Sequence, residues 1–438
     1  MSVDTPQYQR RFCGQPIAGW SGTTTSANGD TLLRQIQGCE VCGGSELVPV
    51  LDLGRHPLCD DLVTVDDPRQ CREYPINIDF CTTCATAHQR FQVPKEDLFP
   101  DDYHYRSRFT ADVLSGMQSL VAACVGRLGT LTDKLVLDIG CNDGSLLDFF
   151  RDAGARTAGI EPTGAARDAA AKGHFVLQDY LSSETAAAIR DGMGTPDLIT
   201  FTNVFAHIED LSGVLSALKL LLGPQTTIVI ENHYLGAVLD RHQFDTFYHE
   251  HPRTYSYHSF DFIAKSLGMD IVHVEFPARY GGNIRITLGH GSQGASDTAA
   301  EVIAREQSFR GDFAQLARDV ELWKDRKARE IGQIVAEHGP IRAKAFPGRA
   351  AILVKLLGLS EDEIVAVHEK PGSIKIGHYV PGTRIPIVSD DALFALGPQS
   401  KPLLNLAWHI SPEIRRYLAD NGYDGPVFDI LSTDDFKD

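Results

Sequence analysis

Apolar and polar positions along the chain change their rhythm several times. Early on they alternate: VPVLDLG (Val48 to Gly54) and YPINIDFC (Tyr74 to Cys81) read as strands. A helical stretch, ADVLSGMQSLVAACVGRL, follows FPDDYHYRSRF (Phe99 to Phe109). From Leu135 the pattern becomes short apolar runs, each closed by a turn and a helix. LVLDIGCNDGSLLDFF (Leu135 to Phe150) reads strand, glycine turn, helix. TAGIEPT (Thr157 to Thr163), FVLQDYLS (Phe175 to Ser182), DLITFTNVFAHIED (Asp197 to Asp210) and TTIVIENHY (Thr226 to Tyr234) supply further strands. Strands alternating with helices, with polar residues at the strand ends, predict a doubly wound α/β sheet whose site lies along that edge. HVEFPARYGGNIRITLGH (His273 to His290) adds two strands around Gly281-Gly282. From Asp297 to about His338, Phe309, Phe313, Leu316, Val320 and Trp323 recur near a helical spacing, which predicts one long bridging helix. IRAKAFPGRAAILVKLLGL (Ile341 to Leu359) and IVAVHEK (Ile364 to Lys370) then open a second α/β unit.

These changes divide the chain into a polar leader (1–30), a small domain (31–98), a central α/β domain (99–295) and a bridging helix with a C-terminal α/β domain (296–438). The composition, 43% hydrophobic and 23% charged, is that of a soluble globular protein. No apolar run has the length of a membrane span, and the first residues lack a signal-peptide core, so a cytoplasmic protein without a membrane partner is expected. A net charge of −17 argues against a nucleic-acid partner, while a local group of basic residues could still hold a small anion. Nine cysteines, all between Cys13 and Cys141, suit metal binding better than a disulfide framework.

Cys39-Glu-Val-Cys42, followed by two glycines, and Cys81-Thr-Thr-Cys84 have the spacing of a tetrahedral structural zinc site. Cys59 and Cys71 stand as alternative ligands. In the central domain Asp138 leads into Gly140-Cys-Asn142-Asp-Gly144, where glycines allow close approach of a ligand. Glu161, about 20 residues on at the tip of the second strand, suits a ribose diol, and Asp179 an adenine amine. Asn203, His207, Asn232 and His233 stand at later strand ends. Arg279, Tyr280, Asn283 and Arg285 are placed to meet a pyrophosphate or a sugar hydroxyl. Tyr248-His249-Glu250-His251 puts a phenol, a carboxylate and two imidazoles in a row, the groups of proton-transfer chemistry. As a locally extended segment, it would turn His249 away from its neighbours.

LDIGCNDGSLL with IEPT resembles the cofactor-binding part of class I S-adenosylmethionine methyltransferases. Together with NVFAHIEDL, ENHYL, QFDTFYHEH and YVPGTRIPIVS, it is similar to a narrower group, the zinc-containing sugar C-methyltransferases that act on nucleotide-linked 4-keto-deoxysugars in antibiotic and surface-polysaccharide pathways. The resemblance runs from Cys39 almost to the end. It implies a zinc-binding domain, a central Rossmann-like methyltransferase domain and a second Rossmann-like domain. It also implies S-adenosylmethionine and structural zinc as cofactors, and a nucleotide-linked sugar, with dTDP the expected carrier, methylated at C-3 beside the ketone. It makes His251 the base with Glu250 setting its orientation and pKa. Tyr248, His207 and Tyr105 (or Tyr103) become oxyanion donors or hydroxyl positioners. Asp138, Gly140, Asn142, Gly144, Glu161, Asp179 and Asn203 would hold the cofactor, and Asn232, Tyr248, Arg279 and Asn283 the substrate. Phe346-Pro-Gly-Arg349 and His368-Glu-Lys370 depart from the family's Gly-Ala-rich turn and acidic pair, so Arg349, Lys355 and His378 are expected to give this third domain its own preference for the nucleotide-sugar. Oligomeric state is open, a monomer being compatible. The competing readings are a sugar O- or N-methyltransferase on the same scaffold, and a binding or assembly protein with a vestigial cofactor site.

Overall fold

The computed structural model describes residues 24–25, 33–98, 106–109, 111–291, 297–397 and 401–437. The first domain is an antiparallel sheet in which Leu47–Pro57 pairs with Glu73–Cys81, and that strand with Thr86–Gln89. The alternation read in the sequence is kept: Leu51 and Leu53 are buried while Asp52 and Gly54 face out. Two register shifts bend the long first strand over its partner.

The central domain holds a seven-stranded sheet ordered Phe175–Leu177, Arg156–Ile160, Leu135–Ile139, Leu198–Thr202, Thr227–His233, Asn283–Gly289, Asp270–Glu275. The first five strands are parallel, and Asn283–Gly289 is antiparallel to both neighbours. Leu135–Ile139 and Asn283–Gly289 are buried along their whole length, because helices cover the sheet. The C-terminal domain repeats the plan with five parallel strands ordered Ile387–Ser389, Ile364–Glu369, Ile341–Lys344, Leu403–Asn405, Val427–Asp429.

Two features tie the domains into one body. Directly after His251 and Pro252, the strand Arg253–Thr254 leaves the central domain and pairs with Thr86–Gln89, extending the first domain's sheet. The bridging segment is two helices, Asp297–Glu306 and Phe309–His338, where one was expected. The break falls at Gln307 and Ser308, where the Glu306 carboxylate turns inward to accept from the Tyr257 and His258 amides at 2.6 and 3.0 Å. The 30-residue helix buries the expected stripe. Phe313 meets Phe80 of the first domain, and Trp323 meets Phe244 of the second and donates to the Ile430 carbonyl of the third. Truncating a buried aromatic of this kind costs about 3–5 kcal/mol. Among the described residues, no helix is long and apolar enough to cross a membrane.

Candidate active site

The glycine turn lies at the carboxyl edge of the central sheet. Gly140 and Gly144 have φ of 71° and 74°, and a Cβ on Gly140 would stand 2.5 Å from Val204, so both conformation and packing demand glycine there. Asn142 also takes a left-handed φ of 48°. Its amide donates to Glu161 at 3.0 Å, and its side-chain oxygen accepts from the Ser107 amide at 3.0 Å. Glu161 further accepts from the Thr163 amide and hydroxyl. Of the four acceptor positions of an ionised carboxylate, three are thus filled from the chain, which leaves one for a hydroxyl of a bound ribose. Asp138 is buried, accepts from Thr200 at 2.7 Å and is pushed up to about 7 by that burial. Asp179 is exposed beyond the end of the edge strand. Asn203, in a left-handed φ of 54°, accepts from Asn283 at 3.2 Å. The donor set and the cradle fit an adenosyl group.

Further along the same edge, three histidines converge. His207 follows the strand Leu198–Thr202 on a short turn, His233 ends the strand Thr227–His233, and His251 closes the YHEH segment. The His251 ring lies 4.7 Å from that of His207, 5.6 Å from that of His233 and 4.2 Å from the Tyr248 ring. The segment is not extended as expected. Its His251 amide donates to the Tyr248 carbonyl at 2.9 Å, closing a β-turn that brings the phenol and imidazole at its two ends together. His249, at the corner, donates Nε2–H to the Tyr74 carbonyl at 3.1 Å.

Protonation states follow from these contacts. His251 Nδ1 lies 3.0 Å from the Thr246 carbonyl, which can only accept, so Nδ1 carries the proton and the lone pair sits on Nε2. Burial first, then His207, His233 and Arg349, hold His251 well below its ordinary value. It is neutral at pH 7. Burial depresses His207 to about 4 and His233 to about 3. His207 Nδ1–H donates to the Glu250 carbonyl at 2.8 Å. Glu250 was expected to orient His251, but the Thr246 carbonyl does so. The Glu250 carboxyl instead faces Asp60 and Lys375, and burial, then Asp60, raises it well above the carboxylate range. Tyr248 is raised likewise, by burial and by Glu250. Tyr248 is therefore a hydrogen-bond donor at neutral pH, and the Glu250 carboxyl is shifted toward its protonated form.

The other expected contacts are distributed differently. Tyr105 and Tyr103 lie outside the described residues. Asn232 is buried at its strand end. Arg279 pairs with Glu231 at 3.1 Å and passes over Gly116, where a Cβ would stand 1.8 Å from the guanidinium. Asn283 and Arg285 also bond Glu231, so these groups tie strands together beneath the site. Arg349 grips Asp245. Lys355 pairs with Glu73 of the first domain at 2.6 Å, and His378 lies on a two-residue strand paired to Val63–Thr64. Both belong to the seam between the first and third domains. Residues around the site that the sequence reading passed over are Thr246, Asp245, Trp408, His409 and Lys375. Thr246 acts through its main chain and the last three come from a distant stretch, so local pattern carried no signal for them.

In the first domain the Sγ atoms of Cys39, Cys42, Cys81 and Cys84 all lie within 4.8 Å of one another. Cys39–Cys84 and Cys42–Cys81 are 3.4 and 3.6 Å apart. Four thiolates about 2.3 Å from a tetrahedral zinc stand about 3.8 Å apart, so the quartet fits the ion. Cys59 lies instead beside Glu250, and Cys71 accepts from the Gly382 amide of the third domain. The knuckle is clamped to the central domain: Ser256 and Ser259 donate to the Cys84 carbonyl, and Thr86 links Cys84 to Ser259.

Comparisons with known proteins agree with this layout. Residues 39–99 match the family described as "Putative zinc binding domain", 111–274 "Methyltransferase domain" and 278–428 "C-methyltransferase C-terminal domain". C-methyltransferase NovU of Streptomyces niveus is 29% identical over 397 residues, spanning 87% of this chain and 92% of that protein. A ubiquinone biosynthesis O-methyltransferase of Pasteurella multocida is 29% identical over 110 residues, 22% of this chain and 46% of its own. Among solved structures, magnesium protoporphyrin IX methyltransferase from Synechocystis PCC 6803 is 20% identical, covering 41% of this chain and 84% of its own at a TM-score of 0.33.

Proposed function

We propose that the chain is an S-adenosylmethionine-dependent C-methyltransferase with a structural zinc domain, and that it methylates a nucleotide-linked 4-keto-deoxysugar, carried on dTDP, at C-3 beside the ketone. The observation that carries the proposal is a buried, neutral His251 with its lone pair on Nε2 and its ring 4.2 Å from that of Tyr248, whose phenol burial keeps protonated. Methylation of a hydroxyl or an amine needs a base alone. A carbon acid beside a ketone has a pKa far above 7, so its enolate oxygen also needs donors.

In this reading His251 Nε2 removes the proton from the carbon. Tyr248 and Glu250 donate to the ketone oxygen as negative charge gathers there, and His207 with Tyr105 helps to place the sugar. S-adenosylmethionine supplies the electrophilic methyl group. Glu161 takes its ribose and Asp179 its adenine amine, while Asp138, Gly140, Asn142, Gly144 and Asn203 shape the cradle. The third domain borders the substrate with Lys375, whose charge suits an anionic nucleotide carrier, and with His409, which burial keeps neutral.

The test is incubation with labelled S-adenosylmethionine and a panel of nucleotide-linked 4-keto sugars, followed by product analysis. A new C–CH3 signal, and exchange of the adjacent carbon's proton with solvent deuterium in the absence of the methyl donor, are the expected results. Label found on oxygen or nitrogen of the sugar would overturn the proposal.

A further inference from the structure

In the C-terminal sheet the strand order reverses between Ile341–Lys344 and Leu403–Asn405. In sheets of this kind, the crevice beyond the strand ends at that point is where a ligand binds. Here the two loops bordering the crevice bring in Arg349, after the first strand, and Trp408, after the second. Both close on a carboxylate from another domain. Arg349 donates Nε–H to Asp245 Oδ2 at 2.8 Å and Nη2–H to Oδ1 at 2.6 Å. Trp408 donates Nε1–H to Oδ2 at 2.9 Å, and the guanidinium sits 5.5 Å from the centre of its ring. Asp245 is fully buried, and the Arg349 side chain is 10% exposed. A two-pronged fork plus an indole N–H is how a protein binds a carboxylate ligand.

A buried ion pair by itself says little about function. The position of this one says more. Asp245 is the middle residue of the turn Phe244–Thr246, and the carbonyl of the next residue, Thr246, accepts the Nδ1–H of His251. Gln243 holds the start of that turn, accepting from the Thr246 amide and hydroxyl at 2.9 and 2.7 Å and donating to the Gly281 carbonyl at 2.8 Å. The Asp245 clasp holds its centre from the opposite side. We infer that Asp245 is the built-in occupant of the C-terminal domain's crevice, and that Asp245, Arg349 and Trp408 are positioning residues that fix the tautomer and aim of His251 through the Thr246 carbonyl. The inference rests on the reading of His251 as the base.

The charged and titratable groups around His251 come from every side. His207 and His233 stand on the central strand ends, Tyr248 and Glu250 on its own turn, and Arg349 and His409 on the third domain. Asp60, Cys59 and Lys375 stand around the Glu250 carboxyl. Removing Arg349 leaves Asp245 as an uncompensated negative charge beside this group and favours the imidazolium. Neutralising Asp245 leaves Arg349 uncompensated and favours the free base.

The experiment uses the full-length, zinc-loaded protein with the substitutions W408F, R349Q, D245N and H251N. Turnover of dTDP-4-keto-6-deoxyglucose and the KM values for it and for S-adenosylmethionine are followed from pH 5 to 9, with thermal unfolding and the 15N signals of the histidine rings. W408F keeps an aromatic ring over the guanidinium and deletes only the N–H. It is expected to lower kcat about tenfold with both KM values unchanged, and R349Q to lower it about 100-fold, the scale of a small misplacement of a reacting group. The acid limb of the profile moves up in R349Q and down in D245N. The Nδ1–H signature assigned through H251N weakens in D245N. Where R349Q or D245N fails to fold, W408F decides. A raised sugar KM in R349Q with unchanged kcat and profile would make Arg349 a substrate ligand and overturn the inference. So would wild-type kcat, profile and ring signals in W408F. If H251N keeps its turnover, the failure lies with the base assignment, whatever the clasp variants do.

Discussion

At the residue scale the site is governed by desolvation. Burial disfavours charged forms, so it holds His251 well below its ordinary value and raises Glu250 and Tyr248 well above theirs. In the proposed reading these shifts favour one base and two acids, a division that proton removal beside a carbonyl requires. His251→Asn is expected to lower kcat by about 10²- to 10⁴-fold, the usual contribution of a general base. Binding of S-adenosylmethionine, measured by calorimetry, should survive, because the cofactor cradle lies on other strands. Since the His251 value is depressed, the acid limb of kcat/KM belongs below pH 6.5, and a limb above 7 would contradict the assignment. Glu250 distinguishes a neutral acid from a charged one. As a protonated donor it tolerates Glu250→Gln with a loss of about tenfold or less, the scale of one neutral hydrogen bond. Glu250→Ala should cost about 100-fold. Equal losses in the two variants, read from steady-state kinetics, would restore a role for the carboxylate charge.

At the scale of elements, the decisive object is the chain from Gln243 to Ser259. It starts on a turn gripped by the third domain, crosses the histidine cluster, becomes an edge strand of the zinc domain's sheet and ends as the cap of a helix. That cap is shared, since Ser256 and Ser259 also hold the Cys84 carbonyl of the zinc knuckle. A zinc ion held by the four cysteines would act on the proposed chemistry without touching it, by fixing the strand that follows His251. Cys84→Ser should reduce bound zinc, assayed by metal analysis of the purified chain, and lower turnover at least tenfold by loosening the aim of the base. S-adenosylmethionine affinity should change little. Full turnover in a zinc-free variant would show that the sheet pairing alone positions the loop.

At the scale of the whole molecule, three domains share one interior, joined by the helix Phe309–His338 and by the clasp on Asp245. That interior stores many neutral histidines. Burial holds His207, His249 and His368 at about 4, and His233 and His409 at about 3, against an ordinary 6.5. Between those values the unfolded chain binds more protons than the folded one, so stability falls as pH drops below 6.5. His258 has the opposite sign: its bond to Glu306 raises it, so its contribution is complete below 6.5 and is lost as pH rises through the raised value. His56, His88, His174, His251 and His273 are lowered too, so among the described residues ten lowered histidines stand against His258 and the raised carboxyls of Asp138 and Glu250, which predicts a thermal midpoint that declines from pH 7 to pH 5. A midpoint flat or rising over that range would contradict it.

Much of this architecture could be read directly from the chain. Strand alternation around the cysteine pairs, the glycine turn with Glu161, and the apolar stripe from Phe309 to Trp323 are short-range patterns, and backbone geometry links each to its element. The two Cys-x-x-Cys pairs converge because each pair already spans a single turn, and the sheet only has to bring the turns together. Tyr248, Glu250 and His251 were recognisable as chemistry, but their roles relative to one another were not. A β-turn replaced the expected extended segment, the Thr246 carbonyl took the place assigned to Glu250, and Asp245 took the arginine assigned to a substrate. Sequence determines which local element forms and which side chains are available there. The shift of the Glu250 carboxyl and the occupant of the crevice depend on groups more than 100 residues away, and the partner of the His251 imidazole on how the chain turns at Thr246, so only tertiary packing decided them.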